Sequence, residues 1–109
     1  MLQNQVQQEL NQIVTRIVDG YQPKKIILFG SAARGDMRKD SDIDLFIIKD
    51  DPDKRPFRAV KVYGTLDGFD RLYPLDVIVY TPSELEYRQS LGDYFVKNVL
   101  MEGKVVYEQ

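Results

Sequence analysis

Apolar residues recur at spacings of three and four along the first twenty positions, at Leu2, Val6, Leu10, Ile13, Val14 and Ile17, with Gln, Asn and charged residues between them. That period lines the apolar side chains along one face and predicts an amphipathic helix, stopped near Asp19-Gly20 with Pro23 beyond. The pattern then changes. Lys25-Ile26-Ile27-Leu28-Phe29 is short, β-branched and apolar, which predicts a buried strand. After Gly30-Ser31 comes a polar stretch suited to a short helix or turn over Ala32 to Met37. Asp42 to Ile48 follows, in which aspartates alternate into Leu45-Phe46-Ile47-Ile48 as a second strand.

Lys49-Asp50-Asp51-Pro52-Asp53 reads as a loop, and Arg55 to about Leu66 as a helix of low contrast with Phe57, Val60 and then Tyr63 or Gly64 on its apolar side. Leu75 to Tyr80 predicts a third strand. Thr81-Pro82-Ser83-Glu84 has the order of a capping box, with Thr81 as cap, Pro82 in the first helical position and Glu84 reaching back. Helix continues in two pieces broken near Gly92, the second from Tyr94 to Glu102 with Phe95, Val96, Val99 and Leu100 apolar. After Gly103, Lys104 to Tyr107 suits a short terminal strand. Strands and helices in this order predict an α/β fold, a small mixed β-sheet with helices packed against it.

The length of 109 residues suits a single domain, 1–109, since smaller units seldom bury a sufficient core. Hydrophobic residues make up 43% and charged residues 29%, an ordinary balance for a soluble globular protein. Nothing approaches the roughly 20 apolar residues of a membrane span, and the polar start lacks the order of a signal peptide, so a cytoplasmic location is expected. There is no cysteine and no histidine, which excludes disulfides, thiol catalysis and an ordinary Ser-His triad, and leaves oxygen as the ligand for any catalytic metal. A net charge of -2 gives no broad basic surface, so direct nucleic-acid binding is not expected.

The chemistry concentrates between residues 30 and 44. Side chains alternate along a strand, so Asp42 and Asp44 point to one face while Ile43 and Leu45 point to the other. Two carboxylates that close repel, and setting them at the start of an apolar strand is costly without a cation; hard oxygen ligands suit Mg²⁺ or Mn²⁺. Gly30 lets the backbone approach a phosphate, Ser31 adds a hydroxyl donor, and Arg34 supplies a charged one. Antiparallel pairing would bring the Gly-Ser at the end of one strand beside the aspartates at the start of the next. A third carboxylate has three candidates, Asp67, Asp70 and Asp76. Asp76 is the one inside a strand pattern, and the two dozen residues before it allow the crossover that parallel pairing requires, which would set it beside Asp42 and Asp44 as ligand or general base.

Gly30-Ser31, ten residues, then Asp42-Ile43-Asp44 is the pattern Gly-Ser-x10-Asp-x-Asp, and on it the chain resembles the minimal nucleotidyltransferases of the DNA polymerase β superfamily. The resemblance covers Lys25 to Tyr80, and Met101 to Tyr107 is similar to the family's C-terminal end. It implies Mg²⁺-dependent transfer of a nucleoside monophosphate, AMP foremost, from a nucleoside triphosphate such as ATP to a hydroxyl. Asp42, Asp44 and Asp76 would be the carboxylates of such a site, with two magnesium ions and Mn²⁺ as a substitute. It also implies a small helical HEPN-type partner protein, toward which such chains act as antitoxins, in some cases by adenylylating it. The alternative is a non-catalytic antitoxin or binding module acting by contact.

Other patterns fail. Asp40-Ser41-Asp42-Ile43-Asp44 has Leu45 where a calcium loop needs glycine and Asp51 where it needs glutamate. No Gly-Lys-Ser/Thr forms a Walker loop and the dinucleotide glycines are missing. Arg34-Gly35-Asp36 falls inside the phosphate turn, with Arg34 and Asp36 equally readable as a surface pair. The tyrosines at 63, 73, 80, 87, 94 and 107 suit packing as well as base stacking, and none is assigned.

Overall fold

The computed structural model describes residues 2–38 and 40–109. Helix α1 spans Leu2–Tyr21, strand β1 Lys25–Phe29, helix α2 Gly30–Arg34, strand β2 Ile43–Ile48, helix α3 Arg55–Gly64 and strand β3 Leu75–Tyr80. Helices α4, Pro82–Ser90, and α5, Tyr94–Glu102, precede strand β4, Lys104–Glu108. The strands form one mixed sheet in the order β3-β2-β1-β4, antiparallel between β1 and both β2 and β4, parallel between β2 and β3. This is the α/β fold the alternation of patterns predicts.

Each sheet face carries its own core because side chains alternate along a strand. Ile26, Leu28, Ile43, Leu45, Ile47, Val77 and Val79 pack with Leu10, Ile13 and Ile17 of α1 and Val62 of α3. Ile27, Phe46, Ile48 and Tyr80 pack on the other face with Val96 and Val99 of α5. The apolar face of α1 is the predicted one from Val6 to Ile17, the Leu2 side chain lying outside the described residues.

Two local expectations are corrected. Gly20 does not stop α1. It is a contact glycine, since a Cβ there would come within 2.7 Å of Thr65 Cγ2, and the chain leaves the helix through Gln22 at φ 54. On α3 the predicted apolar side is turned out: Phe57 is 62% and Val60 66% exposed, while Arg58 and Val62 are buried. Arg58 holds that orientation, its Nη1 donating to Glu84 Oε1 at 2.7 Å and to the Val79 carbonyl at 3.1 Å, and its Nε to the Asp53 carbonyl. The buried guanidinium makes four hydrogen bonds there, all of which would be lost if the helix turned Phe57 and Val60 inward instead. Hydrogen bonding to Arg58 holds the Glu84 carboxyl at about 2, although burial opposes this, and Glu84 also closes the predicted capping box on Thr81.

A second buried polar cluster sits beyond the C-terminal end of β2. Asp51 accepts from the Tyr21 hydroxyl at 2.6 Å, from Lys61 Nζ at 3.1 Å and from the Asp53 amide at 2.9 Å. Burial alone would raise its carboxyl; these bonds instead lower it to about 2. Among the described residues, no helix is long and apolar enough to cross a membrane.

Candidate metal and nucleotide site

The site forms where three strands reach one level. Phe29 at the end of β1 pairs with Asp44 near the start of β2, and Asp44 pairs with Asp76 near the start of β3. Asp42 lies just before β2. Carboxylate oxygens of Asp42, Asp44 and Asp76 lie within 4.8 Å of one another, Asp42 and Asp44 half-buried and Asp76 exposed on the edge strand. Parallel pairing after a helical crossover is what brings Asp76 there. Asp67 and Asp70 stand outside this cluster, exposed in the turns between α3 and β3.

Like charges at this spacing leave a mark on titration. Burial first, then the charges of Asp76 and Asp42, push the Asp44 carboxyl up to about 6, against a smaller downward pull from Arg34. Asp76 is raised as well, by lost hydration first and then by Asp42. Three crowded carboxylates whose charge is opposed by one exposed guanidinium fit a hard divalent cation, whose arrival would reverse those shifts.

The turn before the cluster is built around Gly30. β1 passes directly into α2, with Phe29 extended and Gly30 at φ 74, a conformation that side chains disfavour. A Cβ at this position would also fall on Asp44 Oδ2. The turn thus lies against the carboxylate. Ser31 follows, half-buried, and its carbonyl accepts the amides of Gly35 at 3.0 Å and Asp36 at 3.1 Å, which closes α2. Arg34 is exposed and forms the surface pair with Asp36 at 3.3 Å, and a longer one with Glu102 of α5 at 3.8 Å. The structure therefore brings Gly30, Asp42, Asp44 and Asp76 together and leaves Arg34 at the rim.

Beneath the carboxylates the same sheet face is aromatic. Phe95 of α5 stands edge-on to Phe29 with ring centres 5.7 Å apart and lies 6.3 Å from Phe46, which meets Tyr80 at 4.9 Å. Beyond Asp76 along β3, a groove of about 460 Å³ is lined by Arg55, Pro56, Ala59, Ile78, Tyr80 and Phe95. It adjoins the carboxylates without containing them.

Sequence reasoning missed one neighbour of the site. The Tyr63 hydroxyl on α3 donates to the Leu75 carbonyl at 2.8 Å and accepts from the Val77 amide at 3.2 Å. Burial raises its pKa above the usual phenol range, which keeps it a donor. No local pattern marks it, since both bonds depend on how α3 docks along β3.

Comparison with known proteins agrees with this architecture. The sequence model of the family described as "Nucleotidyltransferase domain" matches residues 8–106. A Methanocaldococcus jannaschii protein named "Putative protein adenylyltransferase" is 37% identical over 87 residues, covering 77% of this chain and 78% of its own. Among solved structures, a Sulfolobus solfataricus protein described as "a putative nucleotidyltransferase" superposes with a TM-score of 0.65 at 19% identity, over 99% of this chain and 86% of that one. A toxin–antitoxin structure with AMP-PNP superposes with a TM-score of 0.60 at 23% identity, over 91% of this chain and 73% of that one. At those identities the two structures show likeness of fold.

Proposed function

The chain belongs to the nucleotidyltransferase domain family, and from that premise we propose that it transfers AMP from ATP, with Mg²⁺, to a hydroxyl on a helical partner protein whose toxicity it restrains. The observation that carries the reading is the cluster of Asp42, Asp44 and Asp76 within 4.8 Å, set against a glycine turn that admits no side chain. The adenylyltransferase named among its relatives supports AMP as the group transferred, and the toxin–antitoxin fold likeness supports a toxin as partner.

Asp42 and Asp44 would hold the metal, with Asp76 as third ligand or as base. Mg²⁺, when bound, supplies charge neutralisation of the phosphates and of the transferred group. Gly30 and Ser31 offer the triphosphate an open backbone and a hydroxyl, and Arg34 an exposed positive charge at the rim. The acceptor oxygen bonds to the α-phosphorus, pyrophosphate leaves with the electron pair of the broken bond, and the acceptor's proton passes to Asp76 where that residue acts as base. The exposure of Asp76 on the edge strand supports the groove beside it as the acceptor's side.

The test joins binding to transfer. ATP should bind in calorimetry with Mg²⁺ and not in EDTA, and label from α-labelled ATP should move onto a small helical HEPN-type partner where the neighbouring gene encodes one. Equal binding in EDTA removes the metal site from the reading. Tight association with that partner and no transferred label would favour action by contact alone, for which the exposed Tyr87, Leu91, Tyr94 and Met101 of the α4–α5 region offer an apolar surface. Label on RNA or on a small molecule would replace the proposed acceptor.

A further inference from the structure

We infer that Tyr63 is a positioning residue for Asp76, its hydroxyl holding the β3 backbone on both sides of that carboxylate as a neighbouring strand would. The inference rests on the reading of Asp76 as the third member of the site. Asp44 lies on β2, which is hydrogen-bonded by β1 on one side and β3 on the other. Asp76 lies on β3, which among the described residues has β2 on one side and no strand on the other. A strand with one free edge opens more readily than a central one, and opening here would carry Asp76 away from its partners.

The free edge of β3 is sealed by side chains of α3. Tyr63 takes the Leu75 carbonyl and the Val77 amide, the groups immediately before and after Asp76, and Arg58 takes the Val79 carbonyl. Both sealing residues come from the helix that crosses between β2 and β3, so one element sets the register of the parallel pair and fastens its outer edge. Sealing by a phenol also leaves no complete row of donors and acceptors for another chain to add to. A tyrosine that served only the general core would show a loss of stability on losing its hydroxyl. A positioning residue shows in addition a loss at the metal cluster that depends on Asp76.

Mn²⁺ alone, counted by electron paramagnetic resonance on the full chain, is the probe. Asp76→Asn should weaken Mn²⁺ binding by at least about tenfold, and Tyr63→Phe, which keeps the ring and acts through the backbone, by about three- to tenfold, at or below the lower end of what lost support around a metal site does. The double variant should bind no more weakly than Asp76→Asn alone, because a positioning residue has nothing left to position. Ile13→Val, a one-methyl core change on α1 that touches no hydrogen bond of β3, should leave Mn²⁺ affinity unchanged. Hydrogen exchange should quicken at the Val77 amide of Tyr63→Phe and not at Leu45. Wild-type Mn²⁺ affinity in Tyr63→Phe beside a weakened Asp76→Asn would overturn the inference alone, as would fully additive losses in the double variant. Wild-type affinity in Asp76→Asn would overturn the inference and mark Asp76 as a base, and no Mn²⁺ binding by the parent protein would overturn the reading beneath it as well.

Discussion

Gly30 and the Asp44 carboxylate share one small volume across the β1–β2 ladder: Phe29 pairs with Asp44, and a Cβ on the next residue would fall on Asp44 Oδ2. Gly30→Ala therefore meets two penalties, a left-handed φ of 74 and displacement of the carboxylate. A loss of about 1–3 kcal/mol in stability is expected from the backbone conformation. Nucleotide binding with Mg²⁺ should fall further than stability does. Thermal unfolding and calorimetry on the same sample separate the two, and a variant that binds ATP normally would show the turn has no part in the site.

Asp42→Asn and Asp44→Asn keep shape and remove charge. Transfer should drop by several orders of magnitude for each. Without metal both proteins should be as stable as the parent or more so, since like charges are relieved. Full activity in either, measured as pyrophosphate release with labelled ATP, would disprove that residue's assignment.

The third carboxylate is tested by comparison. Asp76→Asn should be inactive, while Asp67→Asn and Asp70→Asn should turn over at the parental rate, because those two stand outside the cluster. Retained nucleotide affinity in Asp76→Asn would mark it as chiefly a base, and lost metal affinity as chiefly a ligand. An active Asp76→Asn beside an inactive Asp67→Asn would reassign the role.

Stability of the metal-free protein should depend on pH in two opposite ways. Asp44 titrates at about 6 in the folded chain and near the ordinary carboxylate value when unfolded. The native state then binds more protons across that window, so stability rises as pH falls from about 7 to about 4, by on the order of 1 kcal/mol after allowing for water at the half-open cluster. Asp51 and Glu84, both held at about 2, act the other way, and their contribution is lost as pH falls from about 4.5 toward 2. A maximum near pH 4–5 is expected by denaturant titration. Saturating Mg²⁺, or Asp44→Asn, should flatten the upper limb and leave the lower one; an unchanged upper limb in Asp44→Asn would show the cluster carries no such strain.

Helix α3 supplies a contrast between appearance and burial. Phe57→Ala should change stability by less than about 0.5 kcal/mol, since the ring is mostly exposed. Arg58→Ala should lose about 1–3 kcal/mol because it leaves the Val79 carbonyl without that bond and Glu84 without its ion pair. Chemical denaturation reads both, and a mild Arg58→Ala would refute the account of why the helix turns Phe57 outward.

The sequence by itself determined the elements whose cause is local. Lys25 to Phe29 and Leu75 to Tyr80 are strands because short β-branched runs suit little else, and Thr81-Pro82-Ser83-Glu84 begins a helix because its hydrogen bonds close within four residues. The pairing of Gly30 with the Asp42–Asp44 strand was legible for the same reason, since a short connection leaves antiparallel neighbours as the simple outcome. Asp76 was legible only as the best of three, because nothing in spacing chooses among acids two dozen residues downstream; the parallel register of β3 on β2 made the choice. Tertiary structure alone decided that Gly20 is a contact and not a stop, that Arg58 faces inward, and that Tyr63 fastens the strand bearing Asp76. Each of those depends on a partner 12 to 45 positions away, Tyr63 on Leu75 at the near end and Gly20 on Thr65 at the far one. A period read along one segment reports which side chains share a face, and it carries no information on what that face will meet.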